Sequence, residues 1–457
     1  MFYRFKQLTL VAGDFIALMF GLLIATAVRF RSVSTNGEDL ISPMLILFFF
    51  ALVILFISGL YDLGRTQNRW IFFKKIITAC VIWFIFGITF FYLRRTAIVS
   101  PKTILFFTAI FGFSTVAIWR YIYNRFISTE LWKIKVVFVG LTPEVGELIE
   151  IINNEPSRGY QIVGFIIGTV LPVKYANYPH AATFKNLMAQ NGNLRPDIIV
   201  ISPSSVPLPD LQKELYSELT HQISIKEMAK FYSEITGRIP PFTFSESWFL
   251  SNLNEQDKKI YDRFRIIVDY VCATIMSIGF AVTFPFIATA IKLTSPGKIF
   301  FKQERIGRLG KIFKIYKYRT MSSLSADGSA ETNGPQFAAA GDSRITKVGK
   351  FLRRSRLDEL PQFINIFKNE MAIIGPRPER PEFVAQLSNR MPFYLLRHLI
   401  KPGLTGWAQV KESYYGTIDE NLRKLEYDLF YIMKRDIWLD ISIILRTIGA
   451  VVKLGGR

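Results

Sequence analysis

The chain has 457 residues, half of them hydrophobic, with 41 phenylalanines and a net charge of +20, and its mean hydropathy is positive. That balance excludes an ordinary soluble globular chain and predicts two or three folding units with membrane segments, the cations facing an anionic membrane surface and no nucleic acid. Two cysteines, Cys80 and Cys272, each inside an apolar run, and three scattered histidines (His180, His221, His398) exclude a disulfide framework and a zinc set.

Four apolar stretches open the chain, at about 8–28, 41–61, 70–92 and 104–123. Each is close to the ~20 residues that a helix needs to cross a bilayer. No small-residue cleavage site follows the first, so it reads as an anchor. Arg4 and Lys6 precede it, Arg65, Arg69, Lys74 and Lys75 fill the second loop, and Arg120, Arg125, Lys133 and Lys135 follow the fourth stretch. The positive-inside rule then places both ends of this unit, residues 1–130, in the cytoplasm, with Arg94, Arg95 and Lys102 counting the other way.

Residues 131–255 read as strands at 135–140, 161–167, 197–202 and 222–226 with helical pieces between, the pattern of a parallel, Rossmann-like α/β domain. Pro143 suits the first position of a helix. Gly140 and Gly146 frame a turn after the first strand, but Thr142 stands where a dinucleotide fingerprint needs its second glycine, so a structural or regulatory domain is the expectation.

A fifth apolar segment, 266–291, opens the unit 256–457 and contains Pro285, which removes a helical hydrogen bond and predicts a break. Straight crossing and a bent, re-entrant insertion over about 265–292 both fit this pattern. Downstream, 300–305 and 312–317 bracket a glycine-containing hairpin turn. Lys314, Lys317 and Arg319 add cations there, and Arg344, Lys347, Lys350, Arg353, Arg354 and Arg356 come after them. Ile345, Val348 and Leu352 recur among these at three- and four-residue spacing, which predicts a helix with one apolar stripe and one cationic face. A solvated face, a headgroup-facing surface and a phosphate-binding surface are three readings of it. Ile437–Val452, interrupted by Asp440 and Arg446, reads as an interfacial helix.

Asp358-Glu359 directly follows the basic run, and Pro361 is expected to stop the helix just beyond the pair. Adjacent carboxylates among arginines are either surface ion pairs or a pair that holds a divalent metal and attacks phosphorus. Pro376-Arg377-Pro378-Glu379 is either a stiff exposed loop or a guanidinium pre-organised for phosphate. Residue spacing alone leaves these alternatives open.

From 261 to 457 the chain resembles the bacterial polyprenyl-phosphate hexose-1-phosphate transferases of the monotopic phosphoglycosyl transferase superfamily. The residues that carry the resemblance are Thr294-Ser295-Pro296-Gly297, Gln303-Glu304-Arg305-Ile306-Gly307, Tyr318-Arg319-Thr320-Met321, Arg344-Ile345-Thr346, Leu357-Asp358-Glu359-Leu360-Pro361-Gln362, Gly375-Pro376-Arg377-Pro378-Glu379 and Pro402-Gly403-Leu404-Thr405-Gly406-Trp407-Ala408-Gln409-Val410, in the family's order. The upstream part resembles the long-form members more weakly. The resemblance implies a membrane protein of α plus α/β class: four transmembrane helices, a Rossmann-like domain and a mainly helical catalytic domain with a re-entrant helix.

It further implies a multi-pass protein of the bacterial inner membrane with its catalytic domain on the cytoplasmic face, acting on a UDP-sugar and polyprenyl phosphate beside anionic lipids, and it leaves a homo-oligomer open. Asp358 would be the nucleophile, Mg²⁺ would sit at Asp358 and Glu359, and Arg377, Pro376, Pro378, Glu379, Arg354 and Arg319 would meet the nucleotide and its phosphates. The products would be UMP and a lipid-linked sugar diphosphate that opens a surface-polysaccharide or glycan pathway. A non-catalytic, nucleotide-sensing membrane protein and an inverting glycosyltransferase that releases UDP are the competing classes. Two departures stand out. The helix break is Phe284-Pro285 where the family commonly has Ser-Pro, and Asn369 replaces a glycine in a turn that Asn is able to support in the left-handed region.

Overall fold

The computed structural model describes residues 2–30, 38–61, 70–94, 102–127, 133–168, 171–190, 195–202, 216, 223–241, 246–253, 258–322, 344–412 and 417–452. The loop cations Arg65, Arg69 and Arg95, and the borders expected at 130/131 and 255/256, lie outside the described residues. The chain divides into two compact units, Met1–Phe231 and Tyr232–Arg457.

The first unit begins with four helices, α1 (Phe2–Phe30), α2 (Glu38–Ile57), α3 (Trp70–Arg94) and α4 (Lys102–Ile122). Three of them, over Lys6–Arg29, Trp70–Leu93 and Lys102–Arg125, are long and apolar enough to cross a membrane, while the apolar part of α2 is the shorter Ile41–Ile57. The second stretch was expected to run to 61. It stops early because Gly59, at φ 73, closes a Schellman cap in which Gly59 N donates to Phe56 O (2.9 Å) and Leu60 N to Leu55 O (3.1 Å). Lipid supplies no hydrophobic drive between helices, so close backbone approach and polar contacts must hold them together. Gly21 and Gly112 are such an approach: a Cβ on Gly21 would lie 2.3 Å from Gly112 Cα. Thr115 Oγ1 donates to Ala17 O at 2.7 Å and Trp83 Nε1 to Leu47 O at 2.7 Å.

Arg120 corrects the sequence reading. Counted there as a flanking cation, it is buried to 2% exposure, its Nε 2.9 Å from Asp14 Oδ1 and its Nη1 2.6 Å from Leu60 O. Tyr61 OH also donates to Asp14, at 2.6 Å. The pair staples α1, α4 and the turn after α2, so Arg120 leaves the tally of loop charges.

The α/β part of this unit is a parallel sheet in the order β3-β2-β1-β4-β5. Its strands are β1 (Ile134–Val139), β2 (Tyr160–Ile166), β3 (His180–Ala181), β4 (Ile198–Ile201) and β5 (Ser224–Glu227). Continuous apolar runs fit strands covered on both faces. The two-residue β3 was too short to leave a pattern. Helix α5 (Pro143–Asn154) starts at Pro143 with Thr142 as its N-cap, as the sequence predicts, and α6 (Phe184–Gln190) packs Phe184 and Leu187 on the sheet. Helix α7 (Met228–Thr236) follows β5.

In the second unit α8 (Glu246–Asn252) precedes α9 (Lys259–Thr294), one helix of 36 residues that runs through Pro285 without ending. The expected break is therefore corrected. The ring at 285 removes a single N–H from a ladder continued on both sides, and the face around it is held by packing. That inward face carries Tyr261, Arg265, Asp269, Ala273, Phe280, Phe284, Ile287 and Ile291. Phe280 stacks on Tyr318 (5.8 Å) and Phe284 on Phe300 (5.9 Å). The opposite face exposes Ile260, Phe264, Ile267, Val271, Ile275, Ile278, Val282 and Phe286, spaced three or four apart.

The hairpin β6 (Phe300–Ile306) and β7 (Ile312–Tyr318) forms as predicted, with Leu309 (φ 54) and Gly310 (φ 78) turning the chain. Then come α10 (Lys347–Ser355), α11 (Phe363–Phe367), β8 (Ala372–Ile374), α12 (Pro381–Ser388), β9 (Gly403–Thr405), α13 (Trp407–Lys411), α14 (Ile418–Lys434) and α15 (Ile437–Val452). β8 and β9 pair in parallel. Asn369 sits at φ 64, so the turn survives its lost glycine. α15 exposes Trp438 and Ile441 but turns Asp440 inward to accept from Tyr261 OH (2.6 Å) and Tyr431 OH (2.7 Å).

Candidate active site

The site forms where the basic helix gives way to a tighter turn. Thr346 caps α10 by accepting from Gly349 N at 2.9 Å. Gly349 lies so close to the strand end that a Cβ there would be 1.9 Å from Thr320 O. The helix was expected to reach the dyad and stop at Pro361. Instead it stops at Ser355, because Arg356 turns left-handed (φ 57), and Asp358 and Glu359 ride the following 3-10 turn Leu357–Gln362 with Pro361 inside it.

Both carboxylates are 8% exposed. Glu359 Oε1 accepts from Lys317 Nζ at 2.7 Å and from Arg377 Nη2 at 3.0 Å, with Arg356 Nη1 4.0 Å from Oε2. Burial alone would raise the Glu359 pKa, but Lys317, Arg377 and Arg356 outweigh it and hold the carboxyl well below the usual range. Asp358 makes no hydrogen bond or ion pair to a described residue. Burial, with the Glu359 charge adding to it, raises its pKa against the opposing pull of Lys317, Arg353 and Arg377. The Arg377 guanidinium is pushed up by Glu359, while burial and Arg377 push the Lys317 ammonium down despite its partner. Cations outnumber carboxylates, so the cluster suits an incoming anion of several charges.

The sequence reading did not give Lys317 a role. Its signal was strand parity: Phe313 and Ile315 face the core, and Lys317 is the next residue on that face. Gly375-Pro376-Arg377-Pro378-Glu379 is set by close backbone packing, since a Cβ on Gly403 would lie 2.0 Å from Gly375 N and one on Gly406 2.2 Å from Gly375 O. Glu379 turns into a buried ion cluster with Lys424 and Arg305. Burial opposes its charge, yet Lys424, Arg397 and Arg305 depress its pKa to about 2. Arg319 donates to Ser295 O (2.7 Å) and Pro296 O (2.8 Å), securing the chain after α9. Arg354 is exposed on α10. The structure thus joins Asp358, Glu359 and Arg377 and directs the side chains of Glu379 and Arg319 to other partners.

A family model described as bacterial sugar transferase matches residues 260–454. A UDP-glucose:undecaprenyl-phosphate glucose-1-phosphate transferase of Klebsiella pneumoniae is 32% identical over 327 residues, 69% of this chain and 67% of that protein. The chain belongs to the bacterial sugar transferase family. A UDP-N-acetylgalactosamine-undecaprenyl-phosphate N-acetylgalactosaminephosphotransferase of Aeromonas hydrophila is 46% identical over 165 residues, and the Escherichia coli (strain K12) enzyme named like that of Klebsiella is 40% identical over 182. These two matches cover 36% and 39% of this chain but only 38% of either relative. The family match, 260–454, covers the dyad, the Arg377 loop and the hairpin, whereas α1–α4 and the β1–β5 sheet lie outside it.

Among the described residues no group of three or more His, Cys, Asp or Glu side chains could hold a metal. Mg²⁺ asks for less, commonly one or two carboxylates completed by substrate phosphates and water. The open carboxylate of Asp358, with Glu359 beside it, fits that demand.

Proposed function

We propose that this family member transfers a sugar 1-phosphate from a UDP-sugar to polyprenyl (undecaprenyl) phosphate, releasing UMP. The observation that carries the reading is the buried Asp358 carboxylate, unbonded among the described residues and set beside Lys317, Glu359 and Arg377. A buried carboxylate with no hydrogen-bond donors keeps its lone pairs for attack, and the neighbouring cations keep enough of it ionised.

An Asp358 oxygen attacks the sugar-bearing phosphorus. The bond from that phosphorus to the bridging oxygen breaks, and UMP leaves with the electron pair. Polyprenyl phosphate then attacks the same phosphorus of the phosphosugar-aspartyl enzyme, and Asp358 departs as a carboxylate. Arg377 and Lys317 meet the charge gathering on the departing phosphate, and Glu359 holds both cations in place. Mg²⁺, held by Asp358 and Glu359, would neutralise the diphosphate.

The donor is water-soluble and the acceptor is not, so the reaction belongs at a membrane face. Packing of one α9 face from Tyr261 to Ile291, with an apolar stripe left outside, favours attachment to one membrane face over a crossing. That face would be the cytoplasmic side of the inner membrane, where a UDP-sugar would arrive. The cationic face of α10, with Phe351 exposed among Lys347, Lys350 and Arg354, suits anionic headgroups.

Full-length protein in detergent, given Mg²⁺, undecaprenyl phosphate and a panel of UDP-sugars, should release UMP with one or a few of them. UDP release would make it an ordinary glycosyltransferase, and no release with any sugar would favour a non-catalytic protein. Asp358→Asn releasing UMP at the wild-type rate would overturn the covalent route.

A further inference from the structure

The loop that carries Arg377 has every one of its carbonyls fixed. Pro376 O accepts from Gly403 N at 2.9 Å, Arg377 O from Arg397 Nη2 at 3.0 Å, Pro378 O from Arg305 Nη1 at 3.0 Å, and Glu379 O from Ile306 N at 2.9 Å. Two of these donors belong to the backbone of β9 and β6. The other two are side chains, and both are built in. Arg397 is 3% exposed, with its Nη2 also 2.8 Å from Asp428 Oδ2 and its Nη1 2.7 Å from Tyr394 OH. Arg305 Nη2 donates to Gln303 Oε1 at 2.6 Å, and its Nη1 lies 3.8 Å from Glu379 Oε2.

The prolines at 376 and 378 contribute no N–H, so the loop has two amide donors, those of Arg377 and Glu379. Neither finds an acceptor among the described residues. A buried or half-buried N–H without a partner is rare in a native fold and is commonly taken up by a ligand. With its carbonyls tied back, the loop is left presenting donors only: two amides and one guanidinium.

We propose that Arg305 and Arg397 are positioning residues for the donor's phosphates, acting through the backbone of the 376–379 loop and not by touching the nucleotide. Each grips the carbonyl of the residue that flanks or bears the guanidinium, so each sets where Arg377 stands relative to Glu359 and Asp358. Lysine in either place keeps the charge beside Asp428 or Glu379 but loses the planar fork that reaches two acceptors at once. The inference rests on the role given to Arg377 above.

The test is a double-mutant cycle on full-length enzyme in detergent, measuring UMP release against UDP-sugar and against undecaprenyl phosphate. Arg305→Lys and Arg397→Lys should each lower kcat/KM for the donor about tenfold or more and leave KM for the acceptor within about twofold. In an Arg377→Gln background the same changes should cost less than about twofold, because their route to the phosphate is already gone. Full multiplicative losses in that background, or unchanged donor kcat/KM in both lysine variants, overturn the inference. If Arg377→Gln alone leaves the donor kinetics intact, the proposed function fails first, and the cycle separates the two failures. Should Arg397→Lys not fold, Arg305→Lys carries the cycle by itself.

Discussion

Lys317→Met tests the electrostatics of the dyad most directly. Methionine keeps much of the buried stem and deletes the ammonium that donates to Glu359 Oε1 at 2.7 Å. Removing a charge-assisted hydrogen bond costs about 1.5–3 kcal/mol. Orphaning a buried ion outright costs about 3–5 kcal/mol, but Arg377 remains 3.0 Å from the same oxygen, so the lower range applies. The unit Tyr232–Arg457 should then lose only about 3–12 °C in Tm, at about 2–4 °C per kcal/mol, and remain folded. Activity should fall much further. Deleting one donor aimed at developing charge typically lowers kcat by about 10²–10³-fold, and the substitution also loosens Glu359, the residue paired with Arg377. Lys317→Arg should restore part of that loss, since it keeps the charge in a different shape. UMP release and a thermal melt on the same preparation check both halves. A Lys317→Met enzyme that melts lower yet turns over like wild type would refute the placement of Lys317 in the reaction and leave it a structural ion-pair partner.

Gly349→Ala should destabilise the second unit by about 1–3 kcal/mol, read as a lower Tm, because its Cβ would lie 1.9 Å from the Thr320 carbonyl oxygen. Arg120→Gln should cost about 3–5 kcal/mol by leaving Asp14 buried without its partner, seen as loss of a monodisperse peak on size exclusion in detergent, and Asp14→Asn in the same chain should recover much of it. Acid should weaken the fold in two stages. Burial, with Arg397 adding to it, lowers the His398 pKa from 6.5 to about 4, so the unfolded chain takes the proton first and stability is lost as pH falls from 6.5 through 4. Glu379 is lowered from 4.5 to about 2, so its contribution is present above 4.5 and is lost below it. His398→Asn should flatten the upper stage only, in denaturant midpoints measured across pH.

The layers of this protein were legible in the sequence to very different degrees. Long apolar runs marked α1, α3, α4 and α9, a glycine-containing turn located the hairpin, and a period-3.6 pattern located the basic helix. What failed were the points where one residue's backbone overrides a pattern. Arg356 in the left-handed region ends α10 before the dyad, and nothing about arginine announces that conformation. Asn369 does announce it, and there the expectation survived. Pro285 failed the other way: proline warns of a break, but Phe280 and Phe284 stacked on the hairpin before it and Ile287 and Ile291 buried after it hold the helix on both sides. In the site, Asp358, Glu359 and Arg377 were visible as chemistry near one another in sequence. Lys317, Arg305 and Arg397 were not, because their roles depend on which face of a strand or turn they occupy and on partners 20 to 73 positions away.

One tension in the site explains its excess of arginine and lysine. A nucleophilic carboxylate must be ionised and poorly solvated at once, and burial, which strips the solvent, also raises the Asp358 pKa. A diphosphate arriving beside it would raise that pKa further by like-charge repulsion. Lys317, Arg353 and Arg377 oppose both effects, and Glu359, already held ionised by two of them, keeps these cations from drifting to the ligand alone. Charge balance between dyad and cations would therefore be the wrong design: a neutral cluster would protonate Asp358 when the donor binds. Under the proposed mechanism, the surplus of positive charge would let the same aspartate stay a nucleophile in the presence of the anion that it attacks.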